Sequence, residues 1–285
     1  MQPLSGILTI SCPDRKGIVA SVTSFLAQHG ANILEANQHS DLADKAFFMR
    51  VQFELDGMDL DRDTIGPAFA EVAGSFEMQW QLHFSDRPKR MAILVSRLDH
   101  CLYDLLLRQK AGELVAEIPL IISNHPDMEP VAHNFGIPYY HLPVGKTNRA
   151  EQEAKIAALV EEHQIDVIIL ARYMQVLTPF LVQKYPNRII NIHHSFLPAF
   201  VGGRPYHQAY ERGVKMIGAT SHYVTEELDQ GPIIAQDVTQ VSHRDSVEDL
   251  IRKGRDLERL VLARAVRAHL EDRVLTYGRR TIVLE

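Results

Sequence analysis

The sequence contains few cysteines. Only Cys12 and Cys101 occur among its 285 residues. Two thiols cannot form a disulfide framework, and they are too few for a four-thiolate zinc site. The cysteine content therefore predicts a protein of a reducing compartment, and we expect a cytoplasmic location.

Long apolar runs and an excess of positive charge are also missing. No stretch approaches the ~18 apolar residues of a membrane-spanning helix, and the first residues lack the basic and apolar segments of a signal peptide. Lys and Arg number 30 against 36 Asp and Glu, which gives a formal net charge of -6. Because non-specific nucleic-acid binding depends on cationic side chains, we expect neither a membrane nor a nucleic acid as partner.

Glycine is absent where a nucleotide-binding loop would need it. The apolar run at residues 91–95 is followed by SRLDHC, which has no glycine. Both GxGxxG turns and P-loops require glycine, because the backbone must approach phosphate closely. The 14 histidines show no HExxH or cysteine-pair spacing. The sequence therefore argues against dinucleotide, ATP and metal sites.

Residues 1–84 show two kinds of apolar periodicity. Apolar side chains alternate in the first residues and again from Phe47 onward, as expected for strands with one buried face. Between them, a helical stripe begins at Ile18 and ends before Gly30. The pattern predicts a ferredoxin-like βαββαβ domain, with two helices on one face of a four-stranded antiparallel sheet. An exposed sheet edge could pair with a second copy, so we expect a homo-oligomer.

The pattern changes after residues 85–90 (SDRPKR), which we predict to be a linker. From residue 91 onward, nearly continuous apolar runs replace the alternation, as in strands buried on both faces. Helical stretches separate these runs. Residues 91–285 are therefore predicted to form a Rossmann-like α/β domain with a mostly parallel sheet.

Candidate chemistry lies where strands of this second domain end, since open parallel sheets bind ligands there. Asn191 and His193 point the same way at the end of one strand. An amide beside an imidazole suits hydrogen bonding to a carbonyl oxygen that gains charge. From spacing alone, an ordinary turn-capping Asn191 and a structural His193 are equally acceptable. Asp229 precedes a Gly-Pro turn, where a plain turn aspartate is the commoner case.

Taken together, these residues resemble the signature of the folate-dependent formyltransferases. NIHHSFLP, residues 191–198, is followed by Asp229 in a DQGP turn. That family uses an Asn, His and Asp trio on the formyl group of 10-formyltetrahydrofolate. The resemblance covers about residues 91–285, and it implies that Asn191, His193 and Asp229 are catalytic.

The same resemblance implies where the folate binds. Residues 171–177 are similar to the segment whose backbone holds the pterin ring, and residues 224–229 to the loop that closes over it. The implied folate-binding residues are Met174, Gln175, Val176, Leu177, Ser195, Val224 and Glu226.

In three features the chain resembles the hydrolytic members of the family. These members convert 10-formyltetrahydrofolate to tetrahydrofolate and formate. Residues 14–20 and 32–34 resemble the turn and helix of an ACT domain, a module that responds to amino acids. A phosphate nest is missing after Val95, and His194 stands where the transferases have proline. The resemblance implies a hydrolase of one-carbon metabolism and purine biosynthesis. It implies 10-formyltetrahydrofolate as substrate, no prosthetic group, and an amino-acid effector at the ACT domain.

Hydrolysis of an N-formyl group needs donors to the oxyanion and a group that takes a proton from water. We expect Asn191 and His193 to hold the oxyanion and Asp229 to activate the water. His100 and His194 are candidates to line the acceptor pocket. Two alternatives remain open: a formyltransferase that serves an amine acceptor, and a non-catalytic sensor of folate or amino acids.

Overall fold

The computed structural model describes residues 4–145, 147–199 and 205–285. Contacts divide the chain into two compact units. One comprises the chain up to Pro88 with Glu271–Tyr277 and Thr281–Glu285, and the other comprises Lys89–Leu270 with Gly278–Arg280. None of the described helices is long and apolar enough to cross a membrane.

The first unit is built on a four-stranded antiparallel sheet with two helices. In chain order its elements are β1 (Ser5–Pro13), α1 (Ile18–Gln28), β2 (Ile33–Asp41), β3 (Ala46–Glu54), α2 (Arg62–Ser75) and β4 (Gln79–Phe84). The strand order across the sheet is β2-β3-β1-β4, with antiparallel ladders. The predicted βαββαβ order and the pairing of β2 with β3 are confirmed.

Local signals in the sequence explain where the two helices begin. Gly17 precedes α1 with a φ of 94°, a left-handed conformation that glycine adopts without strain. Asp61 caps α2 by accepting from the backbone N–H groups of Asp63 and Thr64, and the Thr64 hydroxyl accepts from the Asp61 N–H. The apolar faces of both helices share one core with the sheet.

The second unit is an α/β domain around a seven-stranded sheet. In chain order its elements are β5 (Lys89–Val95), α3 (His100–Lys110), β6 (Ala116–Ser123), α4 (Glu129–Asn134), β7 (Tyr139–His141), α5 (Arg149–Glu162), β8 (Val167–Ala171), α6 (Pro179–Lys184), β9 (Ile189–His193), α7 (Pro205–Glu211), β10 (Met216–Tyr223), β11 (Ile233–Gln240) and α8 (Val247–Leu270).

The order of strands in this sheet is β11-β10-β9-β8-β5-β6-β7. The ladders from β9 through β7 are parallel, whereas β10 runs antiparallel to both β9 and β11. The predicted mostly parallel sheet is therefore confirmed. Its central strands are the nearly continuous apolar runs of the sequence, because helices or loops cover both faces.

The segment predicted as a linker, residues 85–90, is partly strand. Lys89 and Arg90 lie in β5 and pair with β6. The Lys89 ammonium donates to the carbonyls of His269 and Leu270 at 3.2 and 2.9 Å. The adjacent positive charges of Lys89 and Arg90 predicted a solvent-exposed linker. At the start of β5, however, the Lys89 side chain has hydrogen-bond partners.

The C-terminal residues form a two-stranded sheet, β12 (Val274–Tyr277) and β13 (Arg280–Val283). Most of this segment belongs to the first unit, whereas the sequence-based boundaries assign all of 91–285 to the second. Buried Arg50 explains the difference, since it donates to the Glu35 carboxylate at 2.7 Å and to the Glu271 carbonyl at 3.1 Å. Partners so distant in the chain leave no local periodicity to detect.

The topology of the second sheet brings polar side chains to one edge. The carboxyl ends of β5, β8 and β9 meet there because these strands are parallel. Antiparallel β10 adds His222 as the direct neighbour of Asn191. This edge is where a ligand site is expected.

Candidate active site

The second unit contains a cavity of about 530 Å³ at the carboxyl ends of β8 and β9. Its size suits a small-molecule ligand. Nine of the ten residues predicted to act on or bind the substrate line it: Met174, Gln175, Val176, Leu177, Asn191, His193, Val224, Glu226 and Asp229. His100 and His194 line it as well.

Asp229 and His193 are in direct contact in this cavity. The Nδ1 atom of His193 lies 3.3 Å from Oδ2 of Asp229. An ionised carboxylate only accepts hydrogen bonds, so Nδ1–H is the donor. The Nε2 atom of His193 is buried and has no hydrogen-bond partner among the described residues. That nitrogen is left for a ligand.

His222 orients the side-chain amide of Asn191. Its Nδ1 lies 2.9 Å from the Tyr223 carbonyl oxygen, which can only accept, so Nδ1 carries a proton. In the neutral imidazole Nε2 then accepts, and it lies 3.3 Å from Nδ2 of Asn191. The amide nitrogen of Asn191 therefore faces His222 with one hydrogen and keeps the other for a ligand. The sequence offered His222 only as one of several histidines.

A tight turn holds Asp229 against these imidazoles. Asp229 has a φ of 56°, a left-handed conformation that aspartate tolerates better than most residues. Two residues later, a Cβ on Gly231 would lie 1.7 Å from the carbonyl oxygen of Tyr223. Glycine is therefore required there, because the loop packs directly on the end of β10.

The carboxyl group of Asp229 stays ionised. Burial alone would raise its pKa, but the hydrogen bond from His193 opposes burial, and the pKa of the carboxyl lies well below its usual range. Oδ1 of Asp229 lies 3.7 Å from Nε2 of His222. The cavity therefore has one fixed negative charge beside two imidazoles.

His194 is a neutral neighbour of this group at neutral pH. Burial and the nearby Arg172 charge lower the pKa of His194 to about 4. Its ring centroid lies 5.2 Å from that of His193 and 6.0 Å from that of Tyr206. His194 thus connects the Asp229 side of the cavity with a second set of polar residues.

That second set, the Glu258 cluster, consists of Glu258, His100, Tyr206 and Arg172, all almost fully buried. Nε2 of His100 lies 2.7 Å from Oε2 of Glu258, and the Tyr206 hydroxyl donates to Oε1 at 2.7 Å. Nε of Arg172 lies 3.5 Å from Oε2. Burial alone would raise the pKa of Glu258, but the His100 hydrogen bond and the Arg172 charge hold it below its ordinary value.

Three members of the Glu258 cluster were not predicted from the sequence: Glu258, Arg172 and Tyr206. A signal for Glu258 does exist, because it falls on the apolar stripe of α8 between Gly254 and Leu262. A Cβ on Gly254 would lie 2.1 Å from the Tyr206 hydroxyl, so this glycine makes room for the tyrosine. A carboxylate and a glycine on the buried face of a long helix together predict a polar contact there.

The segment after β8 forms an apolar rim of the cavity. Its backbone is held by Ser96, whose hydroxyl accepts from the Met174 N–H at 2.9 Å and donates to Asn124 at 2.6 Å. The side chains of Met174 and Val176 are more than half exposed. Exposed apolar side chains at a cavity mouth suit contact with a flat aromatic ligand.

Two predicted folate-binding residues have other contacts. Ser195 does not line the cavity: it is buried, and its hydroxyl donates to the Ala199 carbonyl at 2.8 Å. The resemblance implied Ser195, but β9 ends at His193 and the chain then turns. Glu226 lines the cavity and accepts from the Gln183 amide at 2.7 Å.

One group of potential metal ligands occurs among the described residues. His100, Cys101 and Glu258 have ligand atoms within 4.8 Å of one another. Both oxygens of Glu258 already accept hydrogen bonds, and burial raises the pKa of the Cys101 thiol well above its ordinary value. The group fits a hydrogen-bond cluster better than a metal site, since a metal would need the thiolate.

Comparisons with known proteins agree with this fold. The Formyl transferase family model matches residues 89–266, and the ACT domain model matches residues 6–63. The fold and the cavity thus define a formyl transferase-type domain that follows an ACT domain.

Similarity over the whole chain indicates which family within this class the chain resembles most fully. The formyltetrahydrofolate deformylase of Synechocystis sp. is 54% identical over 99% of both chains. The crystal structure of a formyltetrahydrofolate deformylase from Pseudomonas syringae pv. tomato matches 100% of this chain and 96% of its own, with 51% identity and a TM-score of 0.97. A glycinamide ribonucleotide transformylase from Symbiobacterium toebii matches 72% of this chain and 98% of its own, with 33% identity and a TM-score of 0.67. The chain belongs to the formyltetrahydrofolate deformylase family.

Proposed function

We propose that the chain hydrolyses 10-formyltetrahydrofolate to tetrahydrofolate and formate, as an enzyme without a prosthetic group. One observation carries the proposal. Asn191, His193 and Asp229 line one cavity, in a chain that is 54% identical to a formyltetrahydrofolate deformylase over nearly its full length.

The folate binds along the apolar rim. Residues 174–177 offer exposed apolar side chains and backbone polar groups to the pterin ring, and Val224 and Glu226 cover it from the loop after β10. Ser195 acts through the turn that it stabilises. This arrangement directs the N-formyl group toward Asn191 and His193.

The oxyanion of the tetrahedral intermediate is stabilised by two donors. Asn191 donates its remaining amide hydrogen, whose orientation His222 maintains. His193, when protonated, donates from Nε2, the atom that has no protein partner. The ionised Asp229 stabilises this protonated form. Loss of one such donor typically costs about 3 to 4 kcal/mol of transition-state stabilisation.

Asp229 also accepts the proton that leaves the attacking water, directly or through a second water. Its low pKa makes it a weak base, so the proton passes on to the leaving nitrogen of tetrahydrofolate. The carboxylate therefore ends the cycle ionised.

Water is the acceptor because the site offers no anchor for a phosphorylated amine. The segment after β5, SRLDHC, lacks the glycines of a phosphate nest, and the Ser96 hydroxyl is engaged with Asn124 and Met174. Neutral His194 and nearly buried His100 line the cavity instead. These features support hydrolysis over transfer.

The direct test is formate release from 10-formyltetrahydrofolate by the purified protein with no amine present. We expect stoichiometric formate and tetrahydrofolate. Turnover that starts only after an amine acceptor is added would favour the formyltransferase alternative. Folate binding without turnover in either condition would favour the sensor alternative.

The first 84 residues are proposed as a regulatory domain that binds an amino-acid effector. The ACT domain match supports this assignment. Formate release should be measured with a panel of amino acids that includes glycine and methionine. A rate that no amino acid changes would contradict the regulatory role.

The same domain is proposed to pair two copies of the chain into a homo-oligomer. β4 lies at one edge of its antiparallel sheet, where a second copy can add its own strand. Sedimentation should then give a mass above one chain. The free, buried thiols of Cys12 and Cys101 fit the proposed cytoplasmic location.

A further inference from the structure

The apolar rim of the cavity has no regular secondary structure of its own. Between the end of β8 at Ala171 and the start of α6 at Pro179, the chain forms neither helix nor strand. The backbone N–H and C=O groups of Gln175, Val176 and Leu177 make no hydrogen bond to any described residue. These groups are therefore available to a ligand, but they do not fix the conformation of the segment.

Two buried side chains from other elements hold the ends of the rim. At the first end, the Ser96 hydroxyl accepts from the Met174 N–H at 2.9 Å, and the Ser96 N–H donates to the Arg172 carbonyl at 3.3 Å. At the second end, both carboxylate oxygens of Glu153, on α5, bind Thr178. Oε1 accepts from the Thr178 N–H at 2.9 Å, and Oε2 accepts from the Thr178 hydroxyl. The residues with free backbone groups thus lie between two fixed points.

The carboxylate of Glu153 is an unusual group at its position. Its residue is only 4% exposed, and none of the ion pairs of the described residues includes it. The same face of α5 buries Ile156, Ala157 and Val160, so packing alone would favour an apolar side chain there. Burial of a carboxylate costs free energy unless its partners compensate. The partners found here, an N–H and a hydroxyl, both belong to Thr178.

We infer that Glu153 is a positioning residue for the folate, because its hold on Thr178 orders the backbone of residues 175–177 before the ligand binds. The inference rests on the proposed function and deepens it by assigning a residue that sets the affinity for the pterin ring. Glu153 itself does not line the cavity, so it acts through Thr178. A site that is ordered in advance binds more tightly, since the ligand does not have to offset the entropy of ordering it.

The first test is Glu153→Ala, which removes both acceptors of Thr178 and leaves every cavity-lining side chain in place. We expect the affinity for tetrahydrofolate, measured by calorimetric titration, to fall about 10-fold, and KM for 10-formyltetrahydrofolate to rise by a similar factor. The kcat for formate release should stay within about twofold of wild type, because other elements hold Asn191, His193 and Asp229.

Hydrogen–deuterium exchange over residues 172–178 reports the ordering directly. In Glu153→Ala without ligand, these amides should exchange faster than in wild type, because one end of the segment is released. With saturating tetrahydrofolate, the exchange of the two proteins should converge, since the bound ligand then orders the segment. Equal exchange of the two free proteins would overturn the inference.

Glu153→Gln tests rescue by a conservative change. Its amide oxygen can accept from the Thr178 N–H, and its NH₂ group can donate to the Thr178 hydroxyl. Affinity and KM should therefore stay within about twofold of wild type. Glu151→Ala is the matched control, since Glu151 lies on the same helix and forms an exposed ion pair with Lys155. It should bind tetrahydrofolate as wild type does.

Thermal unfolding establishes that each variant is folded. If Glu153→Ala is not, Thr178→Val decides, because valine keeps the shape and the N–H but cannot donate to Glu153. Thr178→Val should lower the affinity for tetrahydrofolate about threefold at unchanged kcat.

Wild-type affinity in folded Glu153→Ala would overturn the inference, and so would a fall in kcat at unchanged KM. If Thr178→Val has to decide, wild-type affinity in that variant would overturn it as well. A wild type that binds tetrahydrofolate without releasing formate would overturn the proposed hydrolysis instead. The comparison of affinities would still test the role of Glu153 in that case.

Discussion

Two carboxylates line one cavity, one from a turn and the other from a helix. Asp229 lies in a tight turn after β10, and its contacts with imidazoles are 3.3 and 3.7 Å long. Glu258 lies in the middle of α8, and its two hydrogen bonds are 2.7 Å long. Each pKa lies below its ordinary value.

The difference concerns what each carboxylate leaves available. Around Asp229, the longer contacts leave an amide hydrogen of Asn191 and Nε2 of His193 for a ligand. Around Glu258, the short bonds use both oxygens and immobilise the surrounding rings. A side chain in a turn can adjust its position slightly during a reaction, whereas a side chain in the middle of a helix is held more rigidly. The reaction is therefore proposed for the Asp229 side, whereas the Glu258 side forms a fixed wall of the cavity.

The largest effect is expected for Asp229→Asn. Asparagine tolerates the left-handed conformation, so the turn should persist, but the charge that stabilises protonated His193 disappears. We expect kcat for formate release to fall at least ~100-fold. Glu227→Gln, on the exposed part of the same loop, is the control. Near wild-type release by Asp229→Asn would break the assignment of the reaction to this side.

Asn191→Ala should have a comparable or slightly smaller effect. It removes one donor to the oxyanion, which corresponds to a loss of about 100-fold or more in kcat. Folate affinity, measured by titration with tetrahydrofolate, should stay close to wild type because the apolar rim is unchanged. If affinity falls instead of kcat, Asn191 acts in binding, and the contrast between the two sides weakens.

The smallest effect concerns His194, which lies between the two sides. Its pKa is lowered from an ordinary value of 6.5 to about 4, so the unfolded chain binds a proton in that interval and the folded chain does not. This contribution to stability is fully present above pH 6.5 and is lost as pH falls toward 4. We expect His194→Gln to lose less unfolding free energy than wild type between pH 7 and 4.5.

Denaturant unfolding at several pH values checks the His194 prediction, with exposed His243→Gln as the control. Parallel curves for wild type and His194→Gln would show that His194 titrates alike in both states. His194 would then not be the buried neutral contact between the two sides.

Much of the fold could be predicted because its signals are local. Alternation predicted the strands of the first sheet, and continuous apolar runs predicted those of the second. The misplaced elements depend on distant partners. Lys89 resembles a linker residue in the sequence, because its partners, the carbonyls at the end of α8, are distant in the chain. Likewise, Glu271–Tyr277 and Thr281–Glu285 belong to the first unit, where Arg50 donates to the Glu271 carbonyl.

The residues of the candidate site also fall into two groups, those with a local signal in the sequence and those that depend on distant partners. Asn191 and His193 could be paired from strand alternation, and Asp229 from its motif. Ser195 belongs to the same motif, yet its hydroxyl serves a turn, because alternation stops where the strand stops. His222 and Glu258 reach the site only through an antiparallel neighbour strand and a helix packed on the sheet.

By itself, the sequence determined the two sets of secondary structure, the resemblance to a folate-dependent enzyme and the choice of the three residues proposed for the reaction. Those properties depend on residues that are near one another in the chain or held in a recognisable motif. Only the tertiary structure decided which nitrogen atoms keep a free hydrogen or lone pair, which carboxylate is saturated and which glycines are needed for close packing. Hydrogen bonding is set by distances of a few ångströms between side chains from separate elements, and no pattern along the chain encodes those distances directly.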